Sequence, residues 1–97
     1  MKLKKIKIGS LELLTPNEKI AKEIYTETFN SKEFNGLRSS HRYFDCGAHI
    51  GIHLLKLKQK FPDMKVTCFE PNPDNFRILQ KNAHNLSNVN LIKAAIS

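Results

Sequence analysis

The stretch FDCGAHIGIHLLKLKQKFP, residues 44–62, decides how the chain is read. An apolar run meets an aspartate, Asp45, turns through Gly47 and Gly51, and continues with Leu54, Leu55, Leu57 and Phe61 at helical spacing. A strand that passes at once into a helix through a glycine corner is the junction of a β-α unit. Gly47 permits a turn that a side chain would strain and lets another molecule approach the backbone. Gly51 is expected to let the helix pack close to the strand and to aim its first N–H groups at the rim, a seat for an anion.

Outward from that corner the pattern repeats. HRYFDC (41–46) reads as a strand and GIHLLKLKQKF (51–61) as a helix, stopped by Pro62-Asp63. KVTCFE (65–70) is a second strand, broken by Pro71. Asn72 and Pro73 supply the N-cap and first residue of a helix running to about His84. Its expected inward face is Phe76, Leu79, Gln80 and Ala83, with Leu86 just beyond, and NVNLIKA (88–94) is a third strand. Strand, helix, strand, helix, strand with short connections makes a parallel βαβαβ unit.

Upstream, LKKIKIGSLELL (3–14) alternates apolar and polar residues around Gly9-Ser10, a hairpin signal. Thr15 is expected to cap a following helix, with Pro16 at its first position and Glu18 closing a capping box. Ile20, Ala21, Ile24, Tyr25 and Thr28 share one stripe with Phe29 at its end, and residues 30–40, with Gly36, read as a loop. The expected division is a hairpin over 1–15, a leading helix and loop over 16–40, and the βαβαβ unit over 41–97. The fold class is α/β: a Rossmann-like parallel sheet preceded by a β-hairpin and a helix.

A chain of 97 residues with 40% hydrophobic and 26% charged residues suits one small globular domain. No apolar run approaches the roughly 20 residues of a membrane span. The start, MKLKKIKIGS, lacks the apolar core of a signal peptide, so a cytoplasmic protein is expected. Cys46 and Cys68 read as small buried hydrophobes rather than disulfide partners. The net charge of +7 comes from dispersed lysines without an arginine-rich, aromatic-interleaved tract. They read as a solvated exterior, and no nucleic-acid partner is expected. His49 and His53 stand four apart, but no third ligand sits at a suitable spacing, so no metal is expected.

Ligands of parallel sheets bind outside the carboxyl ends of the strands. There the first strand ends at Asp45-Cys46 and the second at Phe69-Glu70, which places two acids on one rim. Glu70 follows Asp45 at about the spacing of a ribose-binding acid, and a carboxylate accepts from both ribose hydroxyls, so a nucleoside is the expected ligand. A nicotinamide dinucleotide would need a glycine where His49 stands, and Asp45 would repel its pyrophosphate. S-adenosyl-L-methionine offers a cationic ammonium for the acids and a carboxylate for the helix N-terminus. An NAD-type oxidoreductase fragment and a non-catalytic basic binding module remain the other readings.

DCGAHIG (45–51), FEP (69–71) and the strand NVNLIKAAIS (88–97) together resemble the first half of an FkbM-type S-adenosylmethionine-dependent methyltransferase. ETFNSKEF (27–34) is similar to a segment that precedes the turn in that family. The resemblance implies cofactor contacts at Asp45, Gly47, Ala48, His49, Gly51, Glu70 and Pro71, and identifies no catalytic residue. His49 stands where the family commonly has Asn, and Phe34 where it has Tyr. The resemblance further implies O-methylation of a sugar or small-molecule hydroxyl, with this chain as the cofactor-binding half, truncated at its C-terminus. Either the hairpin then covers the outer edge of the first strand, or that open edge invites association.

Overall fold

The alternation at the N-terminus forms a hairpin: β1 (Lys4–Ile8) pairs antiparallel with β2 (Leu11–Thr15) around Gly9-Ser10. The computed structural model describes residues 2–29, 34 and 36–95. The side chains of Thr28 and Phe29, and residues 30–33 of the ETFNSKEF segment, lie outside the described residues. Gly9 has φ +59°, and a Cβ there would fall 2.6 Å from the Tyr25 hydroxyl, so this turn requires glycine.

The helix α1 (Glu18–Phe29) follows. Its cap is not Thr15 but Asn17, whose Oδ1 accepts the Ile20 N–H at 3.1 Å. The Thr15 hydroxyl instead accepts the Asn17 N–H at 3.2 Å and closes a local turn. Glu18, released from a capping box, pairs with Lys22 at 3.0 Å. Ile20 was expected on the inner stripe yet is 50% exposed; Ala21 is buried, and Ile24 and Tyr25 are half-buried.

The remaining elements are β3 (Arg42–Cys46), α2 (Ile52–Lys60), β4 (Lys65–Phe69), α3 (Pro73–Asn82) and β5 (Val89–Ile92). The three strands are parallel in the order β3-β4-β5, with Asp45 opposite Cys68 and Cys68 opposite Leu91. Side chains alternate between faces. Tyr43, Val66, Cys68, Val89 and Leu91 therefore point to one side, into a core with Leu54, Leu57, Met64 and Leu79. Cys46, one residue out of phase with Asp45, falls on the other side and is exposed, which corrects its expected burial; Cys68 is buried as expected.

A second core joins Ile6, Leu11 and Leu13 of the hairpin to Ala21, Ile50, Ile52 and Ile78. This core rotates the inner face of α3: Ile78 and Leu79 are buried, Phe76 is half-buried, and Gln80, expected inside, is exposed. The hairpin forms its own two-stranded sheet against the helices and does not pair with β3, which among the described residues is an edge strand.

Lys58 departs from the expected lysine exterior and is only 4% exposed. Its ammonium donates to the carbonyls of Met64, Pro62 at 3.1 Å and Ser87 at 2.7 Å, tying α2 to the turns before β4 and β5. Burial pushes its pKa down. Among the described residues no helix is long and apolar enough to cross a membrane.

Candidate functional site

The end of β3 delivers Asp45 to the helix-covered side of the sheet, half-buried. The chain then turns at Gly47, with φ +82°. The N–H groups of Gly47 and Ala48 both donate to the Phe69 carbonyl, at 2.7 and 3.0 Å, lashing the turn to the end of β4. His49 continues with φ +53°, a left-handed conformation that His and Asn adopt more readily than most residues. Its N–H donates to Glu70 Oε1 at 2.8 Å, while Glu70 Oε2 accepts the Asn72 N–H at 2.9 Å. Glu70 is only 4% exposed. It staples the corner to the start of α3 instead of standing free at the rim, and each oxygen keeps further acceptor capacity.

Gly51 has φ +97°, and a Cβ there would meet Leu79 Cδ1 at 2.9 Å. The close approach it permits is therefore to α3 rather than to the strand. Its own N–H donates to the Ala48 carbonyl at 3.0 Å, and no side chain caps the start of α2. Gly47 differs: no heavy atom beyond its chain neighbours lies within 4 Å of where its Cβ would be. The bare backbone faces open space.

That space belongs to a cavity of about 200 Å³, lined by Asp45, Gly47, Ala48 and His49 together with Glu27 of α1 and His53 of α2. Of the expected site residues, those four meet in the cavity. Gly51 and Glu70 shape the turn from behind, and Pro71 is exposed on the following loop. The His53 Nε2 lies 3.1 Å from the Tyr43 hydroxyl in a hydrogen bond, and Phe34 packs edge-on against the imidazole with centroids 5.0 Å apart. Phe34, standing where the resemblance expects Tyr, thus supports a cavity residue through its ring. Among the described residues no group of three or more His, Cys, Asp or Glu could hold a metal ion.

Sequence reading missed Glu27 and His53 as cavity residues, and Asn82 as a support. The Asn82 amide donates to the carbonyls of Leu14 at 3.0 Å and Ile50 at 2.8 Å, and its Oδ1 accepts the Leu14 N–H at 2.7 Å. It joins the hairpin to the residue before Gly51. Its only sequence signal is an amide-bearing residue at a helix end, too common to single out.

No protein-family model matches the chain. Methyltransferase sdnD of Sordaria araneosa is 36% identical over 63 residues, 65% of this chain and 24% of that protein. Methyltransferase 1 of Beauveria bassiana is 40% identical over 47 residues, 46% of this chain and 19% of that protein. The matches thus span a quarter or less of these curated relatives. The structure of M. jannaschii TYW2 in complex with AdoMet superposes with a TM-score of 0.71 at 20% identity, over 95% of this chain and 43% of that one. The fold is therefore the Rossmann-like α/β fold of class I methyltransferases.

Proposed function

We propose that the chain is the cofactor-binding part of an S-adenosyl-L-methionine-dependent methyltransferase. The observation that carries the reading is the corner itself: a glycine whose missing side chain faces open space, beside an aspartate, at the carboxyl rim of a parallel sheet. The donor set fits the cofactor. Asp45 offers a carboxylate to the ammonium of the amino-acid arm, and Gly47, Ala48 and His49 bring the backbone within contact. Gly51 and Glu70 fix the turn, and the remaining lone pairs of Glu70 are assigned to the ribose hydroxyls, with Pro71 alongside. When bound, the cofactor supplies an electrophilic methyl group on a sulfonium centre. The chain's own task is positioning, which lowers the entropic part of the barrier.

The resemblance to FkbM-type enzymes and the two methyltransferase relatives support this reading. The finer part of the proposal is O-methylation of a sugar or small-molecule hydroxyl by the whole protein, acting in the cytoplasm. Titration calorimetry tests the site. The chain is expected to bind S-adenosylmethionine and not NAD. Gly47→Ala, whose methyl would meet ligand rather than protein, is expected to weaken binding about tenfold, or about 1.4 kcal/mol. Glu70→Gln, which replaces one acceptor with a donor opposite a backbone N–H, is expected to weaken it at least as much. Unchanged affinity in both variants, or preferential binding of NAD, would overturn the assignment.

A further inference from the structure

We infer that Glu27, on the leading helix, is a specificity-determining residue of this site. Paired with Asp45, it makes the cavity select nucleosides that carry an amino-acid arm over those that lack one. The inference rests on the proposed cofactor reading and concerns which part of the ligand the cavity receives.

The argument begins with charge. The chain carries 16 Lys and Arg against 9 Asp and Glu. Yet the described residues that line the cavity include two carboxylates, Glu27 and Asp45, and among them no lysine or arginine. A +7 chain that gives one concave site the opposite local sign favours a cation there and disfavours a phosphate. Size narrows the choice. At about 200 Å³ the cavity is smaller than the roughly 300–1,000 Å³ that accommodate whole drug-sized ligands. It fits a short arm, while a nucleoside would lie outside it along the rim. The remaining wall is apolar, with Ile24, Ile50 and Ile52, and suits the methylenes of such an arm.

The two acids come from different parts of the fold. Asp45 is fixed at the end of β3, whereas Glu27 stands near the C-terminal end of α1, four residues after Glu23 on the same helix. Among the described residues no hydrogen bond or ion pair engages the Glu27 side chain. It is exposed, so its carboxylate is available to a ligand entering the cavity. A charge-assisted hydrogen bond is worth about 1.5–3 kcal/mol, and partial exposure places this one at the lower end.

The experiment compares S-adenosylhomocysteine, which has the amino-acid arm, with 5′-methylthioadenosine, which lacks it, by titration calorimetry on the full chain. Glu27→Gln is expected to weaken S-adenosylhomocysteine about tenfold and to leave 5′-methylthioadenosine within twofold of wild type. Glu23→Gln, one turn away and outside the cavity lining, is expected to change neither. Glu27 is exposed, so its neutral isostere does not threaten the fold. If both ligands bind and Glu27→Gln spares them, or depresses them equally, the inference is wrong while the cofactor reading stands. If the wild-type chain binds neither ligand, the cofactor reading fails and the inference falls with it.

Discussion

His49 holds the corner in a conformation that few side chains tolerate. A left-handed backbone costs most L-residues about 1–2 kcal/mol, and Asn is among the residues that avoid much of that cost. The resemblance places Asn at this position, and the φ of +53° gives the physical reason. His49→Asn should therefore fold at least as stably as wild type in thermal denaturation. His49→Val should lose about 1–2 kcal/mol, because β-branching adds to the strain. Equal stability of the two variants would mean the turn relaxes without penalty. The cysteines give a second check at this scale. Burial, helped by the Asp45 charge, pushes the Cys68 thiol up to about 12, while Cys46 is exposed on the far face of the sheet. A thiol reagent near pH 8 should thus modify Cys46 alone, and Cys68 only after unfolding; two fast-reacting thiols would contradict this. The corner was legible in the sequence because Asp45, Gly47 and Gly51 act within a few residues of one another. The burial of Glu70 was not, because it depends on N–H groups of His49 and Asn72 that only the folded turn brings to its oxygens.

At the scale of elements, every strand and helix was legible, since glycine and proline mark their limits and the periodicity shifts between them. The rotation of α3 was hidden, because Ile78 packs against hairpin residues distant in sequence and no local pattern records that contact. Lys58 was hidden by its chemistry. It lies four residues after Leu54, on the buried stripe of α2, yet a lysine there reads as solvent-facing. Its ammonium satisfies three carbonyls, and Met would fill the same space without donating. Lys58→Met should lower stability by about 2–3 kcal/mol, since buried acceptors left without partners cost about 1–3 kcal/mol. That corresponds to a fall in Tm on the order of 10 °C for a chain of this size. Lys81→Met, exposed on α3, is the control and should stay within about 0.5 kcal/mol. Similar melting of the two variants would show that the clamp adds nothing.

At the scale of the molecule, the helices and hairpin serve one side of the parallel sheet, and among the described residues nothing covers the other. Phe44 is 63% exposed and Ile92 41%, with exposed Cys46 at the end of β3 and half-buried Phe69 between it and Ile92. Parallel sheets are normally covered on both faces, and among the described residues β3 is also an unpaired edge. The 97-residue chain should therefore associate as it is concentrated, despite the mutual repulsion of its +7 charge. Salt separates the two effects: it screens the repulsion and leaves apolar attraction in place, so added salt should strengthen association. Sedimentation velocity at low and high salt measures this. Replacing Phe44 and Ile92 together with Ser should shift the chain toward monomer, with a stability change of no more than about 2 kcal/mol, because Phe44 is already mostly in water and Ile92 partly so. A wild-type chain that stays monomeric at high salt, or a double variant that associates as before, would show that this face is not the contact.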